Sequence, residues 1–261
     1  MQVVILCGGK GTRLREETEF RPKPMLEIGG RPILWHIMKY YASYGFKDFI
    51  LALGYKGDHI RDYFLHYKLR QRDFTVELAT GDLTIYDHEQ TEDWRVTLVE
   101  TGEHNLTGSR LAQCGRYLRG EDFFCTYGDG LSTIPLDALL SFHRSHGGMG
   151  TLTGVLAPSR FGELTVEGDR VKTFSEKPIE PERFVAGGFF VFRRAFLERL
   201  RVDPMCVLER EPLEDLAHDQ ELRVFKHEGF WASMDTWRDW QALNERWQRG
   251  DRPWARWEGR S

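Results

Sequence analysis

The first fourteen residues constrain this chain more than any other stretch. Val3-Val-Ile-Leu6 is a short, β-branched apolar run, and Gly8-Gly9-Lys10-Gly11-Thr12-Arg13-Leu14 follows it at once. An apolar run without polar alternation predicts a buried strand, and the glycines behind it predict a tight loop. Helical spacing comes next: Pro32 suits the first turn of a helix carrying Ile33, Leu34, Ile37, Met38 and Tyr41, with Gly45 as its stop. Residues 49–53 read as a second strand. Asp58 is placed to cap a helix bearing Ile60, Tyr63, Phe64 and Tyr67. Residues 96–99 and 123–127 repeat the strand signal, with a helical pattern over 109–118 between them. Such alternation predicts an α/β fold, a mostly parallel sheet with helices on both faces.

The later part of the chain is less regular. Strands are expected near 151–156, 164–166, 171–174, 188–192 and 222–225, and helices near 135–145, 195–201 and 235–249. No linker rich in Ser, Pro or Gly divides the 261 residues, and no internal repeat occurs. One domain with two lobes is expected, about 1–150 and 151–261.

Clustered glycines let a backbone approach a phosphate closely and aim its N–H groups at the anion. Spacing excludes two familiar loops. With Gly9 and Gly11 as the first pair of a dinucleotide-binding fingerprint, the third glycine position is Leu14. The G-x-x-x-x-G-K-[ST] string occurs nowhere. What remains is a phosphate loop of another kind with Arg13 inside it, or a tight turn with an exposed arginine. Downstream, Pro22 and Pro24 flank Lys23 and are expected to hold it extended. A lysine on a stiff segment suits an anion. Arg13 and Lys23 together would clamp a polyphosphate and offset charge in phosphoryl or nucleotidyl transfer.

Composition removes several alternatives. Thirty-six Lys and Arg against 40 Asp and Glu give a formal net charge of −4, which argues against a broad nucleic-acid-binding face. No run approaches the length of a membrane span. The N-terminus lacks a basic segment before its apolar run, so a cytoplasmic protein is expected. Cys7, Cys114, Cys125 and Cys206 lie far apart and read as reduced, buried residues. His143 and His146 sit three apart without a further metal-ligand partner and read as solvated helix residues.

The motifs form a recognisable set. Gly8-Gly-Lys-Gly-Thr-Arg-Leu14 followed by Pro22-Lys-Pro24 resembles the signature of the sugar-1-phosphate nucleotidylyltransferases, the sugar-nucleotide pyrophosphorylases. In detail the chain is similar to their glucose-1-phosphate cytidylyltransferase branch. The likeness runs through Met25 to Met38, Gly54-Tyr-Lys-Gly57, Val96-Thr-Leu-Val-Glu-Thr-Gly102 and Thr107-Gly-Ser-Arg110. It continues in Thr126-Tyr-Gly-Asp-Gly130, Phe161-Gly162, Glu176-Lys-Pro178, Gly187-Gly-Phe-Phe-Val191, Gly229-Phe-Trp231, Met234-Asp-Thr236 and Pro253-Trp254.

The resemblance implies a Rossmann-like core with a sugar-binding lobe, and CDP-glucose formation from CTP and glucose 1-phosphate. It implies Arg13, Lys23 and Asp129 as catalytic residues, and Mg²⁺ between Asp129 and Asp235. Read without it, Asp129 sits between Gly128 and Gly130 beyond a strand, where ligands bind in open α/β sheets. Asp235 could equally be a helix N-cap. The nucleotide would meet Leu6, Gly8, Gly9, Gly11, Thr12, Arg13, Lys23, Asn105, Arg110 and Gly128. Arg110 would offer donors to the acceptors of cytosine, or simply begin a helix. Gly162, Glu176 and Lys177 would hold the sugar phosphate. Two positions depart from the branch: Ala186 stands where asparagine is usual, and Ser109 where a glycine is common. Homo-oligomers are common in the family, and Trp237, Trp240, Trp247, Trp254 and Trp257 are candidate interface anchors or packing for a terminal helix.

Overall fold

The computed structural model describes residues 1–86, 91–156, 163–167, 170–175 and 184–259. Seven strands make one sheet: β1 (Gln2–Leu6), β2 (Asp48–Leu53), β3 (Arg95–Glu100), β4 (Asp122–Tyr127), β5 (Gly150–Leu156), β6 (Phe184–Arg193) and β7 (Leu222–His227). Their order across the sheet is β7-β5-β6-β4-β1-β2-β3. Neighbours run parallel except around β6, which is antiparallel to both β4 and β5. The sheet is therefore mostly parallel, and it continues without a break from the first half of the chain into the second.

Alternate residues of the strands feed two apolar layers. Val3 and Ile5 of β1, Phe49 and Leu51 of β2 and Phe124 of β4 face α1 (Ile33–Ser43), α2 (Gly57–Leu65), α4 (Leu136–His146) and α6 (Trp237–Gln248). Val4 and Leu6, Ile50 and Ala52, Phe123 and Cys125 face α3 (Thr107–Cys114) and α5 (Glu211–His218). Covering both faces explains why these strands read as continuous apolar runs. Among the described residues, no helix is long and apolar enough to cross a membrane.

Several local expectations change. α2 begins after Lys56, which adopts the left-handed conformation (φ 51°), while Asp58 lies inside the first turn with its side chain in solvent. Tyr67 falls beyond the end of that helix, where its hydroxyl receives Trp35 Nε1–H at 2.9 Å and donates to Glu92 at 2.7 Å. The 109–118 pattern divides into α3 and a 3₁₀ turn at Gly115–Tyr117, and the 195–201 pattern is a 3₁₀ helix at Arg194–Arg199. His143 is buried and His146 half-buried, not solvated.

The C-terminal tryptophans mostly pack the chain against itself. Trp254 is fully buried, Trp247 meets the His36 ring edge-on at 4.9 Å between centroids, and Trp257 meets Trp35 at 5.5 Å. Gly29 (φ 59°) permits this, since a Cβ there would lie 1.9 Å from Trp247 Nε1. A group of exposed apolar side chains lies elsewhere, on a hairpin the sequence reading missed (Asp73–Glu77 and Asp82–Tyr86). Phe74, Val76, Leu78, Leu83 and Tyr86 all project there. All four cysteines are free and buried, as their spacing predicted.

Candidate active site

The glycine loop leaves the C-terminal end of β1. Gly11 turns it at φ 60°, and a Cβ there would stand 2.9 Å from Thr18 Cγ2 and 3.3 Å from Lys23 Cβ. Glycine at this position admits the Pro-Lys-Pro segment against the loop. Thr18 Oγ1 donates to the carbonyls of Gly11 (3.2 Å) and Leu14 (3.0 Å), closing the turn from behind. Pro24 reaches the other wall: a Cβ on Gly128 would lie 2.9 Å from its Cγ. The lysine is not held extended. Pro22 is (φ −68°, ψ 149°), but Lys23–Met25 forms a 3₁₀ turn, so each proline fixes its own φ while the turn aims the lysine inward.

Two carboxylates meet at that lysine. Lys23 Nζ donates to Asp129 Oδ2 at 2.5 Å and to Asp235 Oδ1 at 2.9 Å. Arg13 Nη2 lies 3.2 Å from the same Asp235 oxygen. The aspartates are 106 residues apart in sequence, and a two-stranded ladder brings them together: Gly130–Ser132 pairs with Trp231–Ser233. Met234 N–H then donates to the Asp129 carbonyl at 2.9 Å. Asp235 is not the cap of α6. Thr236 is, in a capping box with Asp239, whose Oδ2 also accepts the Asp235 N–H at 3.1 Å. The Asp235 carboxylate is thereby left to Lys23, Arg13 and Ser233 Oγ, which donates at 3.2 Å.

Arg110 forms the floor. Its Nη1 donates to Leu53 O (2.8 Å) and Thr101 Oγ1 (2.7 Å), and its Nη2 to Gly8 O (3.0 Å) and Glu103 O (3.1 Å). Burial lowers its pKa, and Glu100 opposes that shift. A Cβ on Gly8 would lie 2.1 Å from the guanidinium, and one on Gly54 2.2 Å, so two glycines make its slot. Both terminal nitrogens are therefore committed to protein acceptors. Asn105 likewise donates to the Thr101 carbonyl.

These residues line one cleft of about 290 Å³, toward the small end for ligand pockets. Leu6, Gly8, Gly9, Gly11, Thr12, Arg13, Lys23, Asn105, Arg110, Gly128, Asp129 and Asp235 all border it. Thr107 and Tyr127 border it too and were missed. Both donate to Glu209, and burial followed by that carboxylate's charge pushes the Tyr127 phenol upward. Thr107 and Tyr127 stand inside the Thr107-Gly-Ser-Arg110 and Thr126-Tyr-Gly-Asp-Gly130 motifs without an assigned role, and only proximity in space links them to Glu209. Phe161, Gly162, Glu176 and Lys177 lie outside the described residues. Ala186 is exposed on β6, opposite Gly154.

Both protein groups that could hold a metal are carboxylates, and the Lys23 ammonium already sits between them as a cation. Among the described residues no three of His, Cys, Asp and Glu converge. A hard divalent cation suits that donor set, since Mg²⁺ takes much of its shell from phosphate and water.

A family model described as nucleotidyl transferase matches residues 2–245. The chain is 45% identical to glucose-1-phosphate cytidylyltransferase of Salmonella typhi over 259 residues, covering 99% of this chain and 100% of that protein. It is 45% identical to a probable glucose-1-phosphate cytidylyltransferase of Bacillus subtilis over 257 residues, 98% of this chain and 100% of that one. Among solved structures, HddC from Yersinia pseudotuberculosis superposes with a TM-score of 0.66 at 21% identity, covering 94% of this chain and 99% of that chain, a likeness of fold alone. A glycine loop, a lysine between two aspartates and a match along nearly the whole sequence place this chain in the nucleotidyl transferase family.

Proposed function

We propose that this chain makes CDP-glucose and pyrophosphate from CTP and α-D-glucose 1-phosphate. The observation that carries the reaction class is Lys23 bridging Asp129 and Asp235 beside the glycine loop. The substrates are supported by the cytidylyltransferase names of full-length relatives at 45% identity.

The glycine loop offers backbone N–H groups to the triphosphate, while Gly8 and Gly128 let Arg110 and Pro24 close up behind it. A phosphate oxygen of glucose 1-phosphate attacks the α-phosphorus in line. The bond from that phosphorus to the bridging oxygen breaks, and pyrophosphate leaves with the electron pair. No proton need be removed first, because the attacking phosphate is already ionised near neutral pH. Arg13 and Lys23 offset the charge that builds on the triphosphate. Mg²⁺, held by Asp129 and Asp235, would supply further charge neutralisation at the phosphates. Arg110 and Asn105 stand on the base side, but the four terminal N–H groups of Arg110 serve protein acceptors, so this arginine shapes the base pocket rather than presenting a free fork to cytosine. Gly162, Glu176 and Lys177 are assigned to the sugar phosphate on the family resemblance.

The nucleotide half is taken as about 1–150 and the sugar half as about 151–261. A cytoplasmic homo-oligomer is the expected form. Its best surface is the apolar hairpin at residues 73–86, which buries none of its large side chains within one chain.

A pyrophosphate-release assay tests the reading by crossing CTP, UTP, dTTP, ATP and GTP with several sugar 1-phosphates. The expected result is turnover with CTP and glucose 1-phosphate that EDTA abolishes. Turnover with CTP and another sugar would point to Ala186 and change the acceptor. Silence with every pair would overturn the proposal.

A further inference from the structure

A second cleft, of about 950 Å³, opens at the other end of the sheet. It lies where β1 and β4 begin and β6 ends, whereas the catalytic loops leave the far ends of β1 and β4. Arg193 stands opposite Asp122 across the β4–β6 ladder. Arg194 N–H donates to the Glu121 carbonyl, and Arg119 N–H to Gln2 Oε1, each at 2.6 Å.

Four arginines border this cleft: Arg119, Arg144, Arg193 and Arg194. Two carboxylates, Glu121 and Asp122, accompany them. Arg144 Nε takes Asp122 Oδ2 at 3.1 Å. No carboxylate among the described residues pairs with Arg119, Arg193 or Arg194.

Beside them is a buried histidine whose hydrogen-bond pattern fixes its tautomer. Gly148 N–H donates to His146 Nδ1 (3.0 Å), so the proton of that ring is on Nε2, which donates to Thr151 Oγ1 (2.7 Å). The threonine hydroxyl then donates to His143 Nδ1 (2.9 Å), which leaves the His143 proton on Nε2. That N–H is buried without a hydrogen-bond partner, 3.7 Å from Asp122 Oδ1. It faces the carboxylate that Arg144 already neutralises. Glu121 also borders the cleft, so four arginines against two carboxylates leave it a net charge of about +2, carried by the other three arginines.

Cations that outnumber the carboxylates around one cleft favour an anion, and guanidinium forks match phosphate oxygens in geometry and charge. We propose that this cleft is a second ligand site, distinct from the catalytic cleft, that binds a phosphate-bearing dianion through Arg119, Arg193 and Arg194. A volume near the upper range of ligand pockets admits a nucleotide or sugar phosphate as well as free phosphate.

The test uses thermal unfolding of the full chain with phosphate replacing chloride at matched ionic strength. Four proteins are compared: wild type, Lys23→Ala, the pair Arg193→Ala/Arg194→Ala, and Arg119→Ala. Lys23→Ala weakens anion binding at the catalytic cleft and leaves the second cleft untouched. The expected result is a phosphate-induced rise in Tm of about 4 °C or more at saturation, kept in Lys23→Ala. In the arginine variants phosphate should bind about tenfold or more weakly, which corresponds to losing at least one charge-assisted contact. In chloride those variants should melt no lower than wild type, because their side chains are exposed and hold no partner. CMP and glucose 6-phosphate then separate the sources: a larger shift with either identifies an organic phosphate, and an equal shift identifies inorganic phosphate. An unchanged phosphate response in the arginine variants overturns the site. So does a lower Tm in chloride, or a changed sedimentation coefficient with the phosphate response intact, which would make these arginines structural or interfacial.

Discussion

Removing Lys23 would leave the Asp129 and Asp235 carboxylates in one cleft without the ammonium that bridges them, while the mostly exposed Arg13 keeps its contact with Asp235. Like charges at such a distance repel, and the repulsion is relieved by any cation that enters. Lys23→Ala should therefore lower kcat by about 10²–10³, the usual loss when a preorganised charge contact is removed from a transition state. It should also melt lower in EDTA and recover more on adding Mg²⁺ than wild type does. Calorimetry with and without Mg²⁺ reads this independently of turnover, and an equal Mg²⁺ shift in both proteins would remove the cation role from Asp129 and Asp235. Sequence named Lys23 and both aspartates because each sits in a short motif with its own backbone logic. The partners of Arg110 were not legible in the same way. Its four acceptors come from Gly8, Leu53, Thr101 and Glu103, which only the packed sheet brings within reach.

Elements place these residues, and glycine and cap positions decide how well. A methyl group on Gly8 would stand 2.1 Å from a guanidinium held by four hydrogen bonds, so that side chain has no room to yield. Gly8→Ala should cost about 1–3 kcal/mol of stability by overpacking. It should also raise the CTP Kd at least about tenfold, by shifting the loop. Urea unfolding and titration calorimetry check the two effects, and wild-type CTP affinity in a folded variant would refute the slot. At the other wall, Thr236→Ala should cost about 1 kcal/mol through loss of the α6 cap. Because Asp239 also holds the Asp235 N–H, Asp239→Ala should reduce kcat as well as stability, whereas a change in stability alone would show that the box merely caps the helix. The central strands β1, β2 and β4 were legible because burial on both faces leaves them almost uniformly apolar. The exposed hairpin at residues 73–86 was not, since its strands carry charges at their ends and reach no core.

Across the whole molecule, acid should act through two histidines that the fold keeps neutral. His36 donates from Nε2 to the Ile28 carbonyl (2.8 Å), and its Nδ1 accepts from Trp254 Nε1–H (3.4 Å), within a ring of tryptophans. A second proton would place Nδ1–H against that indole N–H. Burial lowers the His36 pKa to about 4, against the opposing pull of the Ile28 hydrogen bond. Burial also lowers His143 to about 4, opposed by Asp122. An unfolded histidine titrates near 6.5. Between those two values the unfolded chain binds protons that the folded chain refuses, so stability rises with pH through this window and falls on acidification from about 6.5 to 4. Above about 6.5 neither group contributes any slope. Each histidine accounts for up to about 3 kcal/mol of the loss at the acid end. Glutamine can keep both hydrogen bonds of His36 without a titrating ring, so His36→Gln should flatten the profile even where its neutral-pH stability is lower. Urea midpoints measured from pH 4 to pH 8 give the slope directly. A variant that loses as much stability as wild type over this window would remove His36 from the acid response and leave it to His143 and the other titrating groups. The alternation of strand and helix was enough to forecast a mostly parallel sheet. It carried no hint of this coupling, because His36 in α1 meets Trp254 at a sequence separation of 218.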